Sequence, residues 1–317
     1  MRVLRWLCCG IVLILAACAE PVPNSDQACA LEEQGRFNIT FENSIPVVTV
    51  MLDGHPARLL LDTGSTHTVL GSEAAERLDV WKDGSARVQS NGVGGKTMAA
   101  AAIVNRLEFA GVGLPHRTVV VLPFQLRNSG APDGLLGDDV LSQFDIDLDL
   151  RTGLGVLYRP RNCPRRPLPV AEEFNALPIL PISPSGRLPV PVKLDGAPLR
   201  ALIDTGASLN TVDRAVAEKL GVTPETLQKD REVKAHGVAA ADASERVHRF
   251  GSLTIGEDVL TRPLLAVVDM PSIGAEMLVG ETYLRQHRLW ISHTSGRVYI
   301  SKSRRTAEAA VPPVSAP

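Results

Sequence analysis

The sequence predicts an all-β protein of two similar lobes in one chain, and three observations predict it. The chain matches itself at long range. Its apolar runs are short, often alternating, and bounded by turn residues, as strands are. Its 26 glycines and 23 prolines in 317 residues interrupt it too often for long helices.

The internal match comes first because it fixes the organisation. Val50 to Ser65 matches Val192 to Ala207 at a constant offset of 142 residues. Leu52-Asp53-Gly54 falls on Leu194-Asp195-Gly196, and Asp62-Thr63-Gly64-Ser65 falls on Asp204-Thr205-Gly206-Ala207. The same offset carries Ala75-Glu76-Arg77-Leu78 onto Ala217-Glu218-Lys219-Leu220. With one residue more, Leu135-Leu136-Gly137-Asp138 meets Leu278-Val279-Gly280-Glu281. Leu107-Glu108-Phe109 is similarly placed to Leu253-Thr254-Ile255. Each copy is near the size of a small domain.

Within each copy the strand signals follow in order. Val48, Val50 and Leu52 alternate with less apolar residues, and Asp53-Gly54 then supplies a hairpin turn. Leu59-Leu60-Leu61, Val119 to Leu122 and Leu264 to Val268 read as buried strands. Asp145 to Asp149 alternates acid and apolar residues, the pattern of a half-exposed strand. Asp139 to Phe144 and Thr282 to His287 are the expected short helices, one per copy. The predicted divisions are a leader at 1–17, a first lobe at 35–158, a Pro-rich linker at 159–171, a second lobe at 172–302 and a disordered tail at 303–317.

Composition narrows the function. Hydrophobic residues make up 44% and charged residues 21%, which suits a packed globular chain and not a disordered one. A net charge of -2 gives no basic surplus for nucleic acid. The seven histidines are scattered, with no H-E-x-x-H or paired spacing for a metal. No G-x-S-x-G elbow offers a nucleophilic serine. Gly92-Val93-Gly94-Gly95-Lys96-Thr97 falls short of a phosphate-binding loop, because Ser90 stands where that motif needs glycine. A calcium site over Asp145 to Asp149 lacks the loop pattern of known motifs. No cofactor and no metal are expected.

The N-terminus reads as a targeting segment. Arg2 and Arg5 precede an apolar run from Trp6 to Ala17 that is too short to span a bilayer comfortably. It ends in Leu15-Ala16-Ala17-Cys18, which resembles the bacterial lipobox. That resemblance implies cleavage before Cys18 and lipidation of Cys18. With Ala19 rather than aspartate following, it implies sorting to the periplasmic face of the outer membrane. Of the five cysteines, Cys8 and Cys9 leave with the leader and Cys18 carries lipid. Cys29 and Cys163 remain, and an oxidising compartment favours a disulfide between them over two separate thiols.

Asp62-Thr63-Gly64-Ser65 and Asp204-Thr205-Gly206-Ala207, each after an apolar triplet, resemble the active-site loops of the pepsin and retropepsin clan of aspartic proteases. Leu135-Leu136-Gly137 and Leu278-Val279-Gly280 stand where that clan threads an apolar pair and a glycine beside each loop. The resemblance covers about residues 35–158 and 172–302. It implies two retropepsin-like closed-barrel lobes fused in one chain, with a cleft between them. It implies catalysis by Asp62 and Asp204, with Thr63 and Thr205 exchanging hydrogen bonds across the lobe interface. Ser65 is expected to hydrogen-bond Asp62, which Ala207 cannot do for Asp204. The clan's flap hairpins map to Gly92-Val93-Gly94-Gly95 and, less clearly, to His236-Gly237. No aromatic residue lies between Ser85 and Phe109, so the flap tyrosine of the pepsin branch is missing.

The chemistry explains the residue types. Two carboxylates held close cannot both ionise cheaply, so they share a proton. One then takes a proton from water while the other gives one to the carbonyl oxygen. The glycine after each Asp-Thr permits a tight turn and close backbone approach. The expected function is an aspartic endopeptidase acting on periplasmic or envelope proteins, a monomer with pseudo-twofold lobes, tied to the membrane through its N-terminal lipid. The other readings are an inactive peptide-binding lipoprotein that keeps the cleft, and two copies folding as separate domains that pair with other chains.

Overall fold

In the computed structural model the structure describes residues 30–42, 44–92, 95–122, 131–163, 173–181, 187–237, 240–270 and 274–302. The expected leader, Cys18, Cys29 and the tail lie outside them. The described chain is a β protein with a few short helices, built as three sheets.

An eight-stranded sheet belongs to the first half. One hairpin in it pairs Ile45–Leu52 with His55–Leu61. The turn between them has Asp53 at φ 48° and Gly54 at φ 87°. Those are the left-handed values that a tight hairpin turn requires. The second half repeats the turn at Asp195 (φ 48°) and Gly196 (φ 81°), between Pro189–Leu194 and Ala197–Ile203. The same dipeptide therefore solves the same backbone problem twice.

The first sheet curls closed through one long strand. Gly95–Phe109 pairs with Val112–Leu122 along most of its length, and its far end pairs Leu107 with Leu52. The nine-stranded sheet of the second half breaks the corresponding strand at Phe250-Gly251. Ala240–Arg249 pairs with Leu264–Val268, while Ser252–Ile255 pairs back onto Pro189–Leu194. Leu59, Leu61, Leu136 and Phe109 are among the side chains filling the main core, with Ala201, Ile203 and Val279 as second-half counterparts.

The third sheet, of six strands, takes three from each half. Ala30–Asn38, Leu154–Arg161 and Asp145–Asp149 form one side, and Arg288–Ser292, Arg297–Ser301 and Phe174–Pro178 the other. The halves join where Asp145–Asp149 pairs antiparallel with Arg288–Ser292. Several expectations are corrected here. The strand expected to be half exposed is buried, with Asp145 and Asp147 each 3% accessible. Its acids are compensated instead of solvated. Arg288 binds Asp147 through two contacts of 2.8 and 2.5 Å, and Asp145 accepts from Ser292 Oγ at 2.6 Å and the Thr294 amide at 3.1 Å. Ala30–Asn38 is a strand that starts before residue 35. Leu154–Arg161 extends three residues past 158, and Phe174–Pro178 is a strand within the expected second lobe. The two short helices are Asp138–Leu141 and Glu281–Leu284, one residue earlier and shorter than expected.

Cys163 is disulfide-bonded. Its sulfur lies 3.6 Å from the carbonyl oxygen of Ala30, the residue after Cys29.

Candidate active site

Each Asp-Thr-Gly loop is built by one strand and held by another. His55–Leu61 delivers Asp62, and the parallel neighbour Gly134–Leu136 fixes it, with the Asp62 amide donating to the Leu136 carbonyl at 3.0 Å. In the second half, Ala197–Ile203 delivers Asp204, whose amide donates to the Val279 carbonyl at 3.0 Å. The chain then threads back across the loop. The Asp138 amide donates to the Ser65 carbonyl at 2.9 Å, and the Glu281 amide to the Ala207 carbonyl at 2.8 Å. Gly137 and Gly280 are needed at these crossings. A side chain on Gly137 would meet the His67 carbonyl at 2.4 Å, and one on Gly280 the Leu209 carbonyl at 2.4 Å.

The two loops meet face to face. The Gly64 and Ser65 amides donate to Asp62 Oδ1, both at 2.9 Å. The Gly206 and Ala207 amides donate to Asp204 Oδ1 at 2.9 and 3.1 Å. A Cβ added to Gly64 would lie 2.5 Å from Asp204 Cγ, and one on Gly206 2.6 Å from Asp62 Cγ. Each glycine thus leaves the room that the opposite carboxyl occupies. Beneath them, the Thr63 hydroxyl donates to the Ile203 carbonyl at 2.7 Å and the Thr205 hydroxyl to the Leu61 carbonyl at 2.5 Å. Each threonine oxygen also accepts from the other's amide, at 3.2 and 3.1 Å. Both threonines are buried.

Charge in this site is uneven. Burial pushes both carboxyls above the ordinary range, and Asp62 goes well above it, helped by the charge of Asp204. At Asp204 the loop amides, a hydrogen bond from Asp62 and the Arg187 cation pull the other way. The two carboxyls therefore titrate as a pair and hold one proton between them, with the Arg187 cation favouring the charged form of Asp204. Arg187 is 9% accessible, and its Nε donates to the Gly64 carbonyl at 3.1 Å, so a second-half cation grips the first-half loop. The equivalent first-half position is Ile45, which carries no charge.

The expected residues sort as follows. Asp62, Asp204, Thr63, Thr205, Gly64, Gly206 and Ala207 come together. Ser65 does so only through its backbone. Its hydroxyl donates to the His67 carbonyl at 2.8 Å rather than to Asp62, because the loop turns that side chain outward. Gly92 and Gly95 are paired at the end of the hairpin Trp81–Gly92 and Gly95–Phe109, while Val93 and Gly94 lie outside the described residues. His236 and Gly237 end the strand Arg231–Gly237, and Gly237 pairs with Ala240.

Sequence reasoning missed Arg187, which carries no periodic signal beside a Pro- and Ser-rich stretch. It also passed over Asp138 and Glu281, although the repeat places an acid after each threading glycine. Asp138 is buried and its carboxyl is pushed up to about 7, by burial and then by Asp139. Glu281 is 2% accessible, neither of its oxygens has a hydrogen-bond partner among the described residues, and burial pushes it up to about 8.

A closed sheet in each half, a sheet shared between them and two facing Asp-Thr-Gly loops define a bilobal aspartic proteinase fold. The family model described as aspartyl protease matches residues 48–140 and 190–283, one match per half and more than half of the chain. The chain belongs to that aspartyl protease family. Among solved structures it is similar to the crystal structure of aspartic proteinase from Irpex lacteus, with a TM-score of 0.55 at 15% identity over 89% of this chain and 100% of that one. No curated protein matches the sequence.

Proposed function

We propose that the chain is a single-chain aspartic endopeptidase that hydrolyses peptide bonds with one water molecule and no cofactor. The observation that carries the reading is the crossed packing of Asp62 over Gly206 and Asp204 over Gly64. It holds two carboxyls at one point, where burial and mutual repulsion leave one proton between them. A water in reach of both loses a proton to the charged carboxylate as it attacks the peptide carbonyl. The protonated carboxyl gives its proton to the carbonyl oxygen, and a tetrahedral diol results. Collapse of the diol returns a proton to the leaving nitrogen and restores the shared-proton state.

An extended peptide lies across the cleft in this reading, with main-chain hydrogen bonds to the hairpins that end near Gly92 and Gly237. The leader pattern of Arg2, Arg5, the apolar run and Leu15-Ala16-Ala17-Cys18 supports export and lipidation of Cys18. The substrates are then periplasmic or envelope proteins, cleaved by an anchored monomer. Cys29 is the proposed disulfide partner of Cys163.

Cleavage of a peptide library by the chain from Ala19 onward tests the reading. Wild type should cleave, and Asp62→Asn and Asp204→Asn should each abolish cleavage while melting as wild type does. Survival of cleavage in either variant refutes a shared dyad. No cleavage by wild type at any pH from about 3.5 to 7.5 favours the peptide-binding alternative. Incorporation of labelled fatty acid that is lost in Cys18→Ser tests the anchor separately.

A further inference from the structure

Each half carries, besides the main core, a smaller apolar layer on the sheet face that bears the catalytic aspartate. Leu60 and Leu202 lie two positions before Asp62 and Asp204, so strand alternation puts each on the same face as its aspartate. Leu59, Leu61, Ala201 and Ile203 point the other way into the main core. The first layer comprises Leu60, Val69, Ala99, Val120, Leu122 and Leu135. The second contains Leu202, Ala266, Val268 and Leu278, and Ala207 of the catalytic loop packs against it. Leu60 in the first layer, and Leu202 with Ala207 in the second, bring the layers beside the dyad, and in the endopeptidase reading they wall the cleft.

The layers match at Leu60 and Leu202, Val120 and Ala266, Leu122 and Val268, and Leu135 and Leu278, and they differ where Val69 falls on Thr211 and where Ala99 falls on Glu245. Ala101 pairs with Val120 in the first half, and Val247 pairs with Ala266 in the second, a shift of 146 residues in both partners. The same shift carries Leu122 to Val268 and Ala99 to Glu245. A carboxyl therefore stands where the first half has a methyl group. Arg246 and His248, on the alternate positions, face Asp230, so Glu245 faces the layer. The neighbours shrink around it, from Val120 to Ala266 and from Leu122 to Val268. Glu245 is 9% accessible, and its carboxyl has no hydrogen bond or ion pair among the described residues. Burial alone pushes it up to about 7.

We infer that Glu245 makes the second-half wall of the cleft a subsite for a basic side chain, lysine or arginine, of the peptide substrate. This rests on the endopeptidase reading of the same cleft. A desolvated carboxyl in an apolar cup without a counter-charge is costly when ionised, and a substrate cation supplies the missing partner. The first-half wall has only hydrocarbon at the same place and takes an apolar side chain. The two sides of the scissile bond are thus recognised by different chemistry despite the pseudo-symmetry.

The test is a cleavage profile of a randomised decapeptide library with wild type, Glu245→Gln and Glu245→Lys. Wild type should favour lysine or arginine at one position beside the scissile bond. In Glu245→Gln, kcat/KM for the best lysine peptide should fall about tenfold or more. Glu245→Lys should move the preference at that position toward aspartate or glutamate. The same profile in all three proteins, with wild-type melting, overturns the inference. If wild type cleaves nothing, the endopeptidase reading fails by itself, and fluorescence anisotropy then reads the subsite with lysine-rich and glutamate-rich decapeptides. Tighter binding of the lysine-rich peptide that weakens in Glu245→Gln supports the subsite, and equal binding overturns it.

Discussion

The Thr205 hydroxyl donates to the carbonyl of Leu61 at 2.5 Å, and the Thr63 hydroxyl donates to the carbonyl of Ile203 at 2.7 Å. Each threonine thus binds the strand end that delivers the other half's aspartate. The dyad is positioned by contacts that exist only when both halves are docked. Thr63→Ala or Thr205→Ala should each lower unfolding stability by about 1–3 kcal/mol, since a buried acceptor loses its donor. The double variant should lose less than the two single losses combined, because the contacts are shared. Denaturant unfolding of the four proteins measures both.

Gly64→Ala should reduce kcat by about 100-fold, because its Cβ would lie 2.5 Å from Asp204 Cγ and must push the carboxyl out of line. Gly206→Ala should do the same through Asp62. Turnover compared with melting separates the effect from unfolding. The prediction is sunk if either variant keeps near wild-type kcat.

Arg187 should bear on the acid side of the pH profile. Its cation lowers the Asp204 pKa, so removing it raises the pH at which the dyad first ionises. In Arg187→Gln the acid limb of kcat/KM should move to higher pH. Arg187→Lys should bring it back toward wild type, although it cannot copy the Nε contact to the Gly64 carbonyl. A limb that does not move in Arg187→Gln contradicts this role.

Glu281 should make the fold weaker as pH rises. Its carboxyl sits at about 8 when folded, against 4.5 ordinarily, so the folded state holds a proton that the unfolded chain releases. Stability is full below about 4.5, falls between there and about 8, and then levels, for a loss of a few kcal/mol. Glu281→Gln should remove much of that slope and melt higher than wild type near the upper end. Thermal melts over this range decide it, and parallel curves for both proteins would exclude the effect.

The Asp147–Arg288 pair ties the halves through the shared sheet. Arg288→Leu should cost about 3–5 kcal/mol by leaving Asp147 charged and buried. Replacing both residues with leucine should restore part of the loss, as measured by urea unfolding.

Much of this protein is written in the sequence. The repeat, the Asp-Gly turns and the two Asp-Thr-Gly loops with their threading glycines are patterns legible along the chain; local backbone sterics enforce the turns, while the loop and threading glycines make room for groups distant in sequence. They specify a duplicated β unit and its two aspartates. What sequence left open depends on partners distant in the chain. Asp145 to Asp149 has the alternation of a half-exposed strand, yet pairing with Arg288–Ser292 buries both faces and turns its acids into internal partners. Ser65 has the chemistry to bind Asp62, but the turn aims its hydroxyl at His67. Arg187 and Glu245 look like ordinary polar residues until folding brings one beside the dyad and the other into an apolar wall. Burial and electrostatic neighbourhood are properties of the assembled halves, so only the tertiary structure decides which charge matters.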